Sequence, residues 1–336
     1  MALNDTGLTL GSKISLPVSY IVASFLSVAL YNVIELTITL FLTFKRRRGL
    51  YFWSFFVATW GIAIYAVGFI LKDFGLATSI SYFYVTLIVV GWCMMVTGQS
   101  LVLYSRLHLV VHSRLILRLV LGMIITNAII LHIPTIVLCY GANSPSFSRF
   151  ETPYSVYEKI QVSIFFVQET IISYIYIHET RKLLRCEREF VELNGDSGKR
   201  LLLFLILINV TVIILDIFIL VLEYVGRYTS QTAVKGFIYS VKLKLEFTIL
   251  NRLVEFVQRS RCSVSSLVDG SGSQHSWNIR HEEQSTEIRH RRSHCSFAVF
   301  ARKVHHELGI SAEKYVLKVT HIVKRKQVVG ACAASS

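Results

Sequence analysis

The sequence predicts an all-α fold: a polytopic membrane bundle of seven transmembrane helices, N-terminus out and C-terminus cytoplasmic, with a mostly disordered basic tail. Three observations carry that prediction. Of 336 residues, 53% are hydrophobic, above the usual share for soluble domains. These residues are gathered into long blocks before residue 257, each near the roughly 20 residues that cross about 30 Å of hydrocarbon. Lysines and arginines crowd alternate gaps between the blocks, the pattern of the positive-inside rule. The alternation of an outer-membrane barrel strand is absent.

Residues 1–16 are polar and show no basic region leading into a short apolar run and a cleavage site, so no cleavable signal peptide is expected. The first span then serves as the targeting signal. Asn4-Asp5-Thr6 is a sequon, which makes Asn4 a glycosylation candidate on a lumenal or extracellular end. Segment 1, 17–44, stops at Lys45-Arg46-Arg47-Arg48, which places that end in the cytoplasm. Its Asn32 and Glu35 are internal, and Glu35 lies about 15 Å along the axis from Lys45, near the midplane.

Segment 2 covers 51–71. Segment 3, 80–104, ends at Ser105-Arg106-Leu107-His108 and holds Gln99 and Ser100 near that end. Segment 4, 115–140, contains Asn127, His132 and Pro134; a proline there lacks a donor and should kink the helix. The stretch 141–158, with two prolines and several serines, reads as an irregular outer loop. Segment 5, 159–178, carries Gln168 and Glu169, and segment 6, 201–225, carries Asn209 and Asp216. Segment 7, 237–257, is the anomaly, with Lys242, Lys244, Glu246, Arg252 and Glu255.

The gaps assigned to the cytoplasm hold residues 45–48, then Arg106, Arg114 and Arg118, then Arg181, Lys182, Arg185, Arg188, Lys199 and Arg200. The outer gaps hold only Lys72, Arg149, Arg227 and Lys235. The tail, 258–336, supplies about half of the formal net charge of +14. Its Ser-, His- and charge-rich beginning is expected to be disordered. Residues 297–327 can form a basic amphipathic helix on anionic inner-leaflet lipids, or else have no function. Cys262, just past segment 7, is a palmitoylation candidate, whereas Cys332-Ala333-Ala334-Ser335 misses a prenylation box because Ser336 follows.

The six cysteines have no zinc or redox spacing, and neither a metal nor a cofactor is expected. No nucleic-acid reading module accompanies the basic charge, so no nucleic acid is expected either. The partners implied are the lipid bilayer and a small hydrophobic ligand or substrate, in the plasma membrane or an endomembrane.

Counting depth along each segment puts Glu35, His132, Glu169, Asp216, Lys242, Lys244 and Glu246 in one broad middle layer. An ionisable residue inside a span normally faces protein or water and has a partner. Lys242 and Glu246 are spaced i, i+4 and can pair on one helix. Lys244 points about 200° away from Lys242 and needs Glu35, Glu169 or Asp216. This layer is either packing glue or a polar site.

As a site it suits several chemistries. A lysine in the last helix invites a retinal Schiff base, but segment 3 has no acid to serve as counter-ion. A G-protein-coupled receptor fits the topology, yet Tyr104-Ser105-Arg106 only loosely matches the helix 3 motif and segment 7 lacks N-P-x-x-Y. A membrane terpene cyclase would use Glu35, Glu169 or Asp216 as catalytic acids, since burial favours neutral carboxyls; the two lysines work against that. A transporter would show inverted repeats with broken helix pairs, which are not apparent. The reading adopted is a receptor-like sensor, with the membrane-embedded biosynthetic enzyme as its alternative.

The runs VTGQSLVLYSRLHLV, 96–110, and YNVIELTITLFLTFKRRRGLYFWSF, 31–55, resemble a large group of integral membrane proteins of filamentous fungi. Those proteins have seven predicted helices, are loosely rhodopsin-like and have no assigned activity. The resemblance covers about 1–257 and excludes the tail. It implies location and topology, not chemistry.

Overall fold

The computed structural model describes residues 16–44, 49–74, 81–111, 113–143, 147–191, 197–225 and 228–269. These form seven helices: α1 (Leu16–Thr43), α2 (Leu50–Asp73), α3 (Ser81–Val110), α4 (Arg114–Ala142), α5 (Phe147–Val191), α6 (Ser197–Val225) and α7 (Tyr228–Asp269). The chain is all-helical among the described residues. Six helices, α1 to α6, are long and apolar enough to cross a membrane. α7 is long enough but carries Lys235, Lys242, Lys244 and Glu246, and does not join them. Asn4, the cationic stop at 45–48 and the tail beyond Asp269 lie outside the described residues.

The surface is that of a membrane-like bundle. Leu119, Ile129, Ile133 and Val137 on α4 are well exposed, as are Leu203, Leu207 and Ile214 on α6. A water-soluble protein seldom shows such continuous apolar faces, and lipid suits them. Inside, one core joins all seven helices, and a smaller one around Tyr84, Val89, Cys139 and Tyr154 fills the gap between α3, α4 and α5.

α2 and α3 share the most extensive seam. Glycines explain it: Gly61 and Gly68 on α2, and Gly91 and Gly98 on α3, each repeat at seven-residue spacing and face the partner's backbone. A Cβ on Gly98 would sit 2.7 Å from the Ala58 Cα, and one on Gly61 would sit 2.6 Å from the Met95 nitrogen. Small residues let backbones approach this closely where lipid offers no hydrophobic driving force. α7 runs through the middle of the bundle, touching α1, α2, α3 and α6, while α5 touches α3, α4 and α6.

α4 runs through Pro134 as one helix. The proline lacks an N–H for the Ile130 carbonyl, and the Tyr157 hydroxyl donates to that carbonyl instead at 2.9 Å, the kind of repair that makes proline tolerable in such helices. Residues 147–158, expected as loop, belong to α5. α3 and α7 reach further than the apolar blocks suggested, so Arg106 and Lys235 are helical rather than loop cations.

Candidate functional site: a stack of buried ion clusters

Helical spacing builds the site. Positions seven or eleven apart return to nearly the same face of an α-helix. α7 places Lys235, Lys242 and Glu246 on one face in this way, with Tyr239 between the lysines. α6 places Asn209, Asp216 and Glu223 on one face, running the other way, and α5 places Glu158, Glu169 and Tyr176. Where the three faces converge, each level receives one side chain per helix.

At the N-terminal level of α7, Lys235 Nζ lies 2.8 Å from Glu158 Oε1 and 2.5 Å from Glu223 Oε2. Gln231 Nε2 also donates to Glu223 Oε2. At the middle level, about 10 Å further along α7, Lys242 Nζ lies 2.5 Å from both Glu169 Oε2 and Asp216 Oδ1. The ammonium also sits 4.7 Å from the centre of the Tyr239 ring, within cation–π range. At the third level, Arg106 of α3 reaches in. Its Nη1 is 2.7 Å from Glu246 Oε2 and its Nη2 donates to Asn209 Oδ1 at 3.3 Å, while its guanidinium lies over the Tyr176 ring at 4.7 Å. Lys242 is 0% exposed and Arg106 is 1% exposed.

Glu246 therefore pairs with Arg106 across helices rather than with Lys242 along α7. The reason is α3's extra turn, which brings Arg106 to the level of Glu246. Lys244 takes Glu35 of α1 at 2.6 Å, and its ammonium lies 5.7 Å from the Tyr31 ring. That pair is on the opposite side of α7, half-exposed at 31% and 48%, and does not share the buried stack. His132 is elsewhere again. Its Nε2 is hydrogen-bonded to the Thr97 hydroxyl at 2.7 Å, and its ring meets Trp92 and Phe165. Of the seven midplane candidates, Glu169, Asp216 and Lys242 are in direct contact, Glu246 is one level away, and Glu35, Lys244 and His132 are not in the stack. Cys262 is on α7, but its side chain is outside the described residues.

The asparagines and glutamines tie the helices together around the stack. Asn32 donates to the Ser240 hydroxyl at 2.8 Å. Asn127 donates to Gln168, which donates in turn to the Ser100 hydroxyl, linking α4, α5 and α3. Thr135 of α4 donates to Gln161 of α5. Among the described residues, no three His, Cys, Asp or Glu side chains come together in a way that could hold a metal ion.

Two small cavities adjoin the stack, each of about 30 Å³, room for a water or two and far from the roughly 300–1,000 Å³ of drug-sized pockets. One is lined by Glu169, Asp216, Tyr239, Lys235 and Gln161, with Trp92, Phe165 and Phe166 as its aromatic wall. The other is lined by Glu158, Lys235 and Gln161 with Thr135 and Tyr154. Gln161, Lys235 and Trp92 belong to both.

Four charged members of the stack, Arg106, Glu158, Glu223 and Lys235, are missing from the candidates that depth alone selects. Their signal is spacing: Asn209, Asp216 and Glu223 are three polar residues seven apart in the largely apolar stretch 201–225 of α6, and Lys235 is seven before Lys242.

No curated protein and no solved structure matches the chain. One family model does, over residues 11–267, which takes in all seven helices as far as the last turn of α7. The chain with its stacked ion clusters belongs to the family described as the domain of unknown function DUF7703.

Proposed function

We propose that the chain is a seven-span membrane protein, N-terminus outside and C-terminus cytoplasmic, that works as a receptor-like sensor. The stack between α5, α6 and α7 is its switch. α7 serves as the seventh span because its inward charges all meet opposite charges on other helices. The lysine and arginine bias of the gaps supports the orientation, which puts the Lys235 level toward the outside and Arg106 toward the cytoplasm. Asn4 is then a glycosylation site, and the basic tail meets anionic lipids of the inner leaflet.

One observation carries the sensor reading. At two levels a single buried lysine is shared by two carboxylates from two different helices. Buried ion pairs are poor evidence for stability, because desolvation offsets most of their attraction. A shared ammonium does have two ways to pair, with the α5 acid or with the α6 acid. A packed seam with two discrete arrangements is what a stimulus can bias.

The test separates switch from glue. The variant Lys242→Met/Glu169→Gln/Asp216→Asn removes all charge at the middle level with little change of volume. It is introduced into a strain lacking the gene, and the transcript profile is compared with that of the wild-type rescue. The sensor reading expects a folded, correctly localised protein that fails to restore the profile. Full restoration would overturn it.

A membrane-embedded biosynthetic enzyme has one observation in its favour. Glu169 and Asp216 face a cavity walled by Trp92, Phe165, Phe166 and Tyr239, and aromatic faces stabilise cations. Against it, Lys242 holds both acids, Glu35 lies on the other side of α7, and the space admits only water. Turnover of prenylated epoxides by microsomes, lost in Asp216→Asn, would reverse that preference.

A further inference from the structure

The two gaps between levels differ. Between the Lys235 and Lys242 levels the facing positions include Gln161 and Tyr239, and the two water-sized cavities share Gln161 and Lys235 as lining there. Between the Lys242 and Arg106 levels the corresponding positions are Ile172 of α5 and Val212 of α6. Each is three or four residues from the charged or polar side chain on either side, and both are buried. The first gap adjoins the cavities, whereas in the second α5 and α6 present apolar side chains.

The middle level has two carboxylates for one ammonium. With all three ionised its net charge is negative, and one more positive charge would make it neutral. Glu169 shows where that charge would go. It is 2% exposed, its Oε2 is held by Lys242, and its Oε1 has no hydrogen-bond partner among the described residues. Glu169 itself lines one of the two cavities together with Asp216.

We propose that Glu169 and Asp216 form a proton-binding site, reached by water from the outer, Lys235 end of the stack and closed toward the cytoplasm by Ile172 and Val212. The inference rests on the sensor reading and names its stimulus class, the proton. A hydronium in the cavity gives its proton to Glu169 Oε1 and remains as water. No electrons move, and the level goes from net negative to neutral. Lys242 then has one ionised partner, Asp216 of α6, where it had two, so the uptake shifts the seam from α5 toward α6.

Charged or titratable groups lie around this acid on α3, α4, α6 and α7 and on its own helix. α7 supplies Lys242, Tyr239 and, one level down, Glu246; α6 supplies Asp216 and, one level up, Glu223. Lys235 and Glu158 border the water route. α4 contributes His132, in ring contact with Phe165 of the cavity wall, and α3 contributes Arg106, which is committed to Glu246. Gln161 lines both cavities and can both accept and donate a hydrogen bond, which the Trp92 indole, a donor only, cannot; it is the natural relay.

The experiment uses the full chain in lipid nanodiscs and reads the infrared band of protonated carboxyl groups during a pH titration. A band that titrates in the wild type and is lost in Glu169→Gln or in Asp216→Asn is the expected result. After a rapid pH jump, Gln161→Leu should show the same final amplitude but severalfold slower growth. A titrating band unchanged in both acid variants, or none at all, would overturn the site. So would a band that disappears when sodium or potassium replaces choline, since a metal cation would then be the occupant. Glu169→Gln leaves Lys242 paired with Asp216 and is the milder variant. Should it misfold, the wild-type response to choline replacement and the Gln161→Leu kinetics still decide. Failure here leaves the sensor reading standing, because that is read by the transcript profile of the neutralised variant.

Discussion

Lys242 and Lys244 are two residues apart on one helix, at nearly one depth, and the bundle treats them differently. Lys242 turns inward to two acids and is fully enclosed, whereas Lys244 turns outward to one acid and leaves the pair half-exposed. Sequence, helix and depth are shared, so the direction around α7 is the whole difference. The inner lysine is enclosed by its two acids and the Tyr239 ring. The outer one lies on a flexible stem along the surface and can move toward an interface. The same ion pair is a structural commitment on one face and an adjustable contact on the other.

That contrast breaks most visibly with Lys242→Met. Two buried carboxylates lose their cation, and removing one partner of such a group costs about 3–5 kcal/mol. Reversible unfolding in mixed micelles should show a loss of that size. A loss no larger than that of Lys244→Met would erase the distinction between the faces. Arg106→Met should come next, at about 3 kcal/mol, because Glu246 loses its cation but Asn209 keeps a second hydrogen bond, its donation to the Leu205 carbonyl. The neutral variant Lys242→Met/Glu169→Gln/Asp216→Asn should recover most of the stability, ending within about 1–2 kcal/mol of wild type. Replacing a whole buried cluster is commonly far milder than breaking it, and a deficit as deep as that of Lys242→Met alone would show that the cluster itself holds α5, α6 and α7 together. Smallest is Lys244→Met, at about 1 kcal/mol or less. Half-exposed pairs are weak, and polar contacts in membranes average about 0.6 kcal/mol. A loss of several kcal/mol there would mean that this face is covered in the assembled protein.

Depth was legible in the sequence, and azimuth only within a single helix. Counting residues from cationic stops puts Glu169, Asp216 and Lys242 at one level, and 100° per residue sends Lys244 away from Lys242; in the bundle Lys242 contacts both acids and Lys244 pairs with Glu35 instead. His132 has a suitable depth too, but it sits on α4, behind Trp92 and Phe165 from the stack. No single-helix pattern says which neighbour a face will meet. Arg106 and Lys235 escaped notice for another reason. A charge near the end of an apolar block looks like a loop cation, and only tertiary partners, Glu246 for one and Glu158 with Glu223 for the other, justify extending the helix through it. The α2–α3 seam was legible in principle. Its glycines at 61, 68, 91 and 98 repeat at heptad spacing on both helices, a signal of close backbone approach independent of charge.

The charges of α7 also constrain how the protein is made. On the seven-span reading proposed above, each charge at the bilayer centre costs about 2.5–3.5 kcal/mol to insert alone, so α7 on its own would slip back toward water. α5 and α6 are synthesised first and bring Glu158, Glu169, Asp216 and Glu223 into place. The last helix then enters against waiting countercharges, and the earlier acids gain their cations in the same event. A chain that ends before α7 would hold several unmatched carboxylates in lipid, a state that cellular quality control can recognise. Pairing of the α5 and α6 acids thus waits on α7.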